Sequence, residues 1–486
     1  MHRVRRNQGT MNRRLLKIPG EILTSSRLKD LLLIFSSLCI LYLVVSHYRI
    51  STLLQIRHTQ PYPSSSSSPP TSLSHLAFAI ASSSKSWPNR RHYVRLWWKP
   101  QLMRGYVFLD RKPPDSATTN TTESLPPVLI SEDTSRFPYT YKGGLRSAIR
   151  VSRIVSEIVA RNLSDVRWFV FGDDDTVFFP ENLAKTLSKY DHNRWYYVGS
   201  SSESFEQNSR FSFEMAFGGG GFAISYPLAR VLARVMDSCL MRYSHLYGSD
   251  SRIFSCLAEL GVGLTHESGF HQVDIRGNLF GLLSAHPLAP IISLHHLDSV
   301  DPIFPNRSQI QALEHLFNVV NVDPARILQQ TVCYDQSNSQ TVSVSWGYAV
   351  QVFEGIQLLP DLILMQRTFM PWRRSLNVNL SHFMFNMRVF PKDPCKRPSI
   401  FFLGNVLTNT NVTQSNYSKD TIRSCLKKSA SQNLEQIKVF SPKLELDYGQ
   451  LQAPRRHCCD ILPSSSEKVM KIRIRQCLDE EIISMH

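Results

Sequence analysis

The stretch RWFVFGDDDTVFF, residues 167–179, sets three consecutive carboxylates, Asp173, Asp174 and Asp175, at the end of an apolar, aromatic run. Adjacent carboxylates repel one another and lose hydration when apolar neighbours crowd them, so the cluster is costly unless a cation or several donors meet it. The run before it reads as a buried strand, which puts the acids at a strand's carboxyl end. What the chain builds around that strand therefore decides the fold.

Strand-like and helix-like stretches alternate on both sides of it. Folded sequence begins at HLAFAIA (75–81), followed by an aromatic, basic helix over 88–98, a strand RGYVFLD (104–110) and a polar loop to residue 126. A strand PVLIS (127–131) and a helix over 145–161 then lead to the aspartates. Beyond them Pro180 opens a helix in PENLAKTLSKY, and WYYVGS (195–200) is a further strand. FGGGGFAIS (217–225) enters the helix YPLARVLARVMDSCL, and another helix runs from near Ser249 to Gly261. The alternation predicts an α/β fold with a mostly parallel, Rossmann-like sheet covered by helices on both faces. In such folds ligands collect beyond the carboxyl ends of the strands, where the aspartates lie.

The rest of the chain divides by composition. Residues 31–48, LLLIFSSLCILYLVVSHY, are apolar over nearly the ~20 residues that a membrane-spanning helix requires. Eight Lys and Arg precede this run and only Arg49 and Arg57 follow closely, which predicts a cytoplasmic N-terminus. A cleaved signal peptide is the rival reading, but the basic lead is long for one and no A-x-A site follows, so the expected organisation is a cytoplasmic tail (1–30), a transmembrane anchor (31–48) and a Ser/Pro-rich stem (49–74). An α/β domain (75–320) and a β-rich extension (321–486) complete it, the latter containing TVSVSWGYAVQVF and SIFFLGNV. Half of the net charge of +16 belongs to residues 1–58, which hold ten Lys and Arg against two acids. The moderately basic remainder suits an anionic small ligand, and no nucleic acid is expected as a partner.

Everything after residue 50 would be lumenal, and the cysteines agree. Apart from Cys39 in the apolar run, eight remain: Cys239, Cys256, Cys333, Cys395, Cys425, Cys458, Cys459 and Cys477. An even number permits complete disulfide pairing, with Cys239 and Cys256 placed to tie two helices together. Sequons begin at Asn120, Asn162, Asn306, Asn379, Asn411 and Asn416.

Three readings fit the acidic triplet by itself. It can be a polar turn in which one Asp caps the next helix. Asp173, Asp175 and Val177 also satisfy the D-x-D-x-T/V pattern of phosphatases of the haloacid dehalogenase kind, although that strand should open its domain and here other strands come first. The third reading is a clamp for Mn²⁺ or Mg²⁺ and a nucleotide diphosphate, since hard carboxylate and phosphate oxygens suit such ions.

Position favours the clamp, and four further stretches follow in order: FGGGGFAIS (217–225), GSD (248–250), GFHQVDI (269–275) and SLHHLD (293–298). Together they make residues 75–300 resemble the inverting β-1,3-glycosyltransferases that include Fringe. The chain as a whole, cysteine-rich end included, is most similar to plant Fringe-related proteins. Against Fringe itself it has four glycines in place of a mixed segment, one acid in GSD where relatives often have two, and a region beyond residue 320 that has no counterpart.

The resemblance implies a nucleotide-sugar transferase fold of the DxD type. It implies a metal-dependent, inverting transfer from a UDP-sugar to a glycan or glycoprotein hydroxyl, by a single-pass type II protein of the Golgi membrane. Carried over residue by residue, Asp173 and Asp175 hold the metal, and Asp174 turns toward the sugar or its ribose. His295 completes the metal shell, with His296 and His271 as nearby substitutes. Asp250 is the catalytic base, while a helix cap is the plainer role for it. Gly219 and Gly220, in the run Gly218 to Gly221, let backbone approach the ligand closely. Arg90 or Arg91, in a segment with six Lys and Arg and no acid, lies near the diphosphate, and Asp110 near the uridine. Besides the transferase, a phosphatase using the same aspartates and an inactive carbohydrate-binding or scaffold protein are the alternatives.

Overall fold

The computed structural model describes residues 30, 33–46, 69–112, 124–374, 381–409, 412–421 and 433–483. The chain forms two compact units, residues 1–69 and 70–486. In the first, residues 33–46 are helical, with Leu33, Phe35, Leu41 and Tyr42 exposed. Among the described residues no helix is long and apolar enough to cross a membrane, so the anchor expected over 31–48 is not supported; residues 31, 32, 47 and 48 lie outside the described set. The sequons at Asn120, Asn379 and Asn411, and Cys425, also lie outside it.

The second unit is built on a seven-stranded sheet. Its strands are β1 (Leu76–Ala81), β2 (Arg104–Leu109), β3 (Val128–Ile130), β4 (Trp168–Asp173), β6 (Tyr197–Gly199), β7 (Phe222–Ser225) and β8 (Leu264–His266), in the order β3-β2-β1-β4-β7-β6-β8. β5 (Val177–Phe178) lies outside this sheet. All neighbours run parallel except where β7 lies between β4 and β6, antiparallel to both. The mostly parallel sheet expected from the alternation is thus a mixed one, with the strand after the glycine run reversed beside the aspartate strand.

The central strands are buried on both faces, as their unbroken apolar runs require. Leu76, Phe78 and Ile80 of β1 and Trp168 and Val170 of β4 enter one core cluster. The alternate residues, Ala77, Ala79, Phe169 and Phe171, enter another. α2 (Ser147–Val159), α5 (Tyr226–Arg242) and α6 (Ser249–Glu259) cover the second face through Ile149, Leu228 and Ile253. The first face is covered by α1 (Trp87–Trp97), whose Val94 and Trp97 are buried there, and by α3 (Pro180–Leu187), whose Pro180 occupies the first turn. The disulfide Cys239–Cys256 joins α5 to α6, the two helices whose cysteines the sequence sets 17 residues apart.

Beyond residue 320 an eight-stranded, almost wholly antiparallel sheet follows, in the order 330–335, 340–345, 349–354, 399–408, 412–419, 436–442, 469–475, 458–462. Disulfides Cys333–Cys459 and Cys458–Cys477 staple it, and Cys395 is disulfide-bonded as well. Its Val342, Val350, Phe401 and Ile472 belong to the same buried cluster as Phe78 and Trp97. The segments 75–320 and 321–486 therefore share one core within the compact unit.

Candidate active site

The site lies at the carboxyl ends of β1, β2 and β4. Register sets Ala81 beside Asp173, so Ser82, the next residue after β1, reaches the triplet. Its hydroxyl donates to Asp174 Oδ2 at 2.7 Å. The buried Arg150 of α2 holds this corner: its guanidinium donates to the carbonyls of Ser82 at 2.6 Å and Phe108 at 3.2 Å. Asp174 and Asp175 are 3% and 2% exposed, so both carboxylates need partners. Arg90, from the first turn of α1, supplies one, at 3.2 Å from Asp174 Oδ1, 3.1 Å from Asp175 Oδ2 and 3.3 Å from Asp298 Oδ2.

A short ladder brings in the imidazole. β5 pairs antiparallel with Ser293–Leu294, setting Leu294 opposite Val177, so the next residue, His295, turns back toward the aspartates. His295 Nε2 lies 3.1 Å from Asp175 Oδ1 and 3.9 Å from Asp173 Oδ2. Its Nδ1 faces the Gln272 carbonyl oxygen at 3.3 Å. Both partners accept only, so the charged ring donates from both nitrogens, and loss of the Nε2 proton leaves Nδ1 donating to the carbonyl and Nε2 able to ligate.

Ligand atoms of Asp173, Asp175 and His295 all lie within 4.8 Å of one another, which fits a divalent cation by the chemistry of its donors, two carboxylates and one imidazole. In the metal-free chain protons do part of the same work. Lost hydration pushes Asp173 up to about 7, and its neighbours Asp175, Asp250 and Asp174 add to the rise against His295. Burial opposes ionisation of Asp175, but His295 and Arg90 hold it down to about 2. Burial likewise opposes charge on His295, and Asp175 outweighs it, raising the imidazole to about 9.

The glycine run joins this cluster to Asp250. A Cβ on Gly219 would collide with the His295 ring, and one on Gly218 would meet the Asp250 carboxylate. Any larger residue at either place displaces a site side chain, which is the physical reason for glycine there. The Gly220 amide donates to Gln272 Oε1 at 2.6 Å, and the Thr176 hydroxyl donates to the Gly219 carbonyl at 2.7 Å, so the run is pinned on both sides. Asp250 sits in the first turn of α6, where Ser249 Oγ donates to its Oδ1 at 3.0 Å. The N-cap position is Gly248, which has no side chain, and Asp250 is the second helical residue, so Asp250 is not the helix cap. Burial raises its pKa, and hydrogen bonds from Gly218 and Ser249 oppose the rise.

The expected residues are thus brought together with three adjustments. Asp110 lies at the end of β2 with its carboxylate engaged, accepting from the Ser84 amide at 2.6 Å. His271 is no substitute ligand: it is buried between Glu203, 2.8 Å from its Nδ1, and His286, 2.8 Å from its Nε2. His296 points its Nδ1 at the buried Asp274, 3.0 Å away, and stacks on Trp372 with ring centroids 4.3 Å apart. Asp298, Asp274, Arg150, Gln272 and Trp372 escaped the sequence reading. For Asp298, Gln272 and Asp274 a signal existed, since they lie within SLHHLD and GFHQVDI.

A family model described as a protein of unknown function, DUF604, matches residues 207–459, just over half of the chain. The chain belongs to that family. It is 28% identical over 153 residues to a beta-1,3-glucosyltransferase of Mus musculus, which is 31% of this chain and 29% of that protein. It is 29% identical over 119 residues to a beta-1,3-glucosyltransferase of Homo sapiens, 24% of this chain and 23% of that one. The matches therefore span less than a third of these relatives, both of them glycosyltransferases. Among solved structures, a mannosyltransferase from Pyrobaculum calidifontis in complex with GDP-Man and Mn²⁺ aligns at 13% identity with a TM-score of 0.28, over 48% of this chain and 66% of that one.

Proposed function

We propose that this protein transfers a hexose or N-acetylhexosamine from a UDP-sugar to a hydroxyl of a glycan or glycoprotein, with inversion and with the help of a divalent metal. The observation that carries the reading is the meeting of Asp173, Asp175 and His295, more than a hundred residues apart in the chain, across a glycine run from Asp250. The part-length similarity to beta-1,3-glucosyltransferases supports the reaction class. Three strands precede the aspartate strand, whereas a phosphatase of the haloacid dehalogenase kind would open on it.

Asp173, Asp175 and His295 would hold Mn²⁺ or Mg²⁺. When bound, the ion stabilises the negative charge that grows on the departing nucleoside diphosphate, and no proton donor is needed there. Asp250 takes the proton of the acceptor hydroxyl as that oxygen attacks the anomeric carbon from the face opposite the leaving group, which inverts the configuration. Its raised pKa strengthens it as a base, and Ser249 and Gly218 fix the direction of its oxygens. Arg90 offsets the charge of Asp174 and Asp175, so the cluster survives without the ion. A membrane anchor and a Golgi lumenal location enter this proposal from the apolar run 31–48 and its basic lead alone.

Release of UDP from UDP-sugars by the purified protein tests the reading. The expected result is release that depends on Mn²⁺ and is abolished by Asp175→Ala and by Asp250→Ala. A scaffold would tolerate both substitutions, and absence of nucleotide binding would defeat the transferase.

A further inference from the structure

Helix α4 (Phe205–Arg210) and a segment of the extension meet beside the site. Phe205, Glu206, Ser209 and Arg210, with Arg373 from beyond residue 320, line an open pocket of about 320 Å³. Contacts on two sides locate it. Arg373 follows Trp372, which stacks on His296, the neighbour of His295. On the other side, the Arg210 guanidinium lies over the rings of Phe211 and Tyr247, at 5.3 Å and 6.0 Å. Phe211 in turn lies 6.3 Å from Phe217, which adjoins Gly218 and hence Asp250. The pocket thus adjoins residues that neighbour both His295 and Asp250.

The segment of the extension is fixed in this place by backbone bonds. Phe369–Pro371 pairs with Ile275–Gly277, Phe383 bridges to Ser204, the Phe205 amide donates to the His382 carbonyl at 3.2 Å, and the Met384 amide to the Glu203 carbonyl at 3.0 Å. Arg373 is held at the pocket by a ladder to the sheet domain.

The lining suits a neutral sugar ring. The Phe205 ring, 42% exposed and packed beside the exposed Phe213 with centroids 5.4 Å apart, offers an apolar face of the kind that takes the C–H face of a pyranose. Arg210 and Arg373 are exposed planar donors, and Arg373 has no partner among the described residues. Glu206 is the acceptor, held by the His382 amide at 3.1 Å and Ser204 Oγ at 3.0 Å with lone pairs to spare.

We propose that this pocket takes a pyranose ring of the acceptor glycan, so that the extension beyond residue 320 supplies one wall of the active site. The inference rests on the transferase reading above. Saturation-transfer difference NMR on the full chain, with UDP and Mn²⁺ present and the methyl glycosides of galactose, glucose, fucose and N-acetylglucosamine as probes, tests it. At least one glycoside takes up saturation from the wild type. Phe205→Ala and Arg373→Ala weaken that signal about fivefold, the scale of a stacking contact, and Phe205→Tyr retains it because the ring remains. Undiminished signal in both alanine variants, or no glycoside signal from a protein that binds UDP with Mn²⁺, overturns the pocket and leaves the transferase standing. A wild type that fails to bind UDP with Mn²⁺ defeats the transferase, and the acceptor role falls with it.

Discussion

Gly219→Ala is the smallest change that tests how the cluster is assembled. A Cβ there would overlap three atoms of the His295 ring, Cε1, Nδ1 and Nε2, all of them within the buried site. His295 is 3% exposed and pinned between Gln272 and Asp175, so the ring has to give up those contacts to make room. Losing the orientation of a metal-ligating imidazole typically costs about 10–100-fold in metal affinity. At about 1.4 kcal/mol per tenfold, that is roughly 1.4–2.8 kcal/mol, within the range of about 1–3 kcal/mol for overpacking a tight site. Isothermal titration with Mn²⁺ reads the loss directly, and Gly263→Ala is the control, since nothing lies within 4 Å of a Cβ at that position. Gly219→Ala should bind Mn²⁺ about 10–100-fold more weakly, and Gly263→Ala as the wild type does. Equal affinity in all three proteins would refute the reasoning, because His295 would then not be held where the metal needs it.

Three other outcomes are expected. Asp250→Asn should lower transfer by about 10²–10⁴-fold while Mn²⁺ affinity, read by titration, stays within a few-fold, because a lost general base removes only proton transfer. In the metal-free protein His295 has a pKa raised from 6.5 to about 9, so its stabilising contribution is fully present below pH 6.5 and lost as pH rises through 9. The melting temperature of the wild type, minus that of His295→Gln, should therefore shrink between pH 6.5 and 9, and the gain from added Mn²⁺ should grow over the same window as the metal replaces protons. Removing the disulfide by Cys239→Ala with Cys256→Ala opens a 17-residue loop, which chain entropy values at about 3 kcal/mol in denaturant unfolding.

Much of this architecture was legible because it repeats with a local period. The run LAFAIA reads as a strand buried on both sides, and its residues do alternate between two cores. RWFVFG reads the same way and ends where the chain turns polar, so the aspartates fall at a strand's end without any tertiary information. Pro180 and the stretch GSD announce helix starts, and both helices begin there. What stayed hidden depends on contacts between distant segments. Arg90 reaches Asp174 across 84 residues, and His295 reaches Asp175 across 120, and no periodicity encodes either meeting. The reversal of β7 is set by pairing on both edges, and the strand's own four residues, FAIS, do not specify direction. His271 and His295 look alike in sequence, yet one is buried against Glu203 and the other against Asp175. The change of texture after residue 320 marks a second sheet, while the shared core and the contact of Trp372 with His296 arise only when both sheets fold together.

The proposed transfer requires that the acids closing β4, with His295, grip a divalent ion. Anomalous diffraction at the manganese edge from crystals grown with UDP and Mn²⁺ measures this most directly. One strong peak is expected, bounded by carboxylate oxygens of Asp173 and Asp175 and by Nε2 of His295. Ordered UDP without a peak among those three side chains, or a peak ligated by other residues, would contradict it.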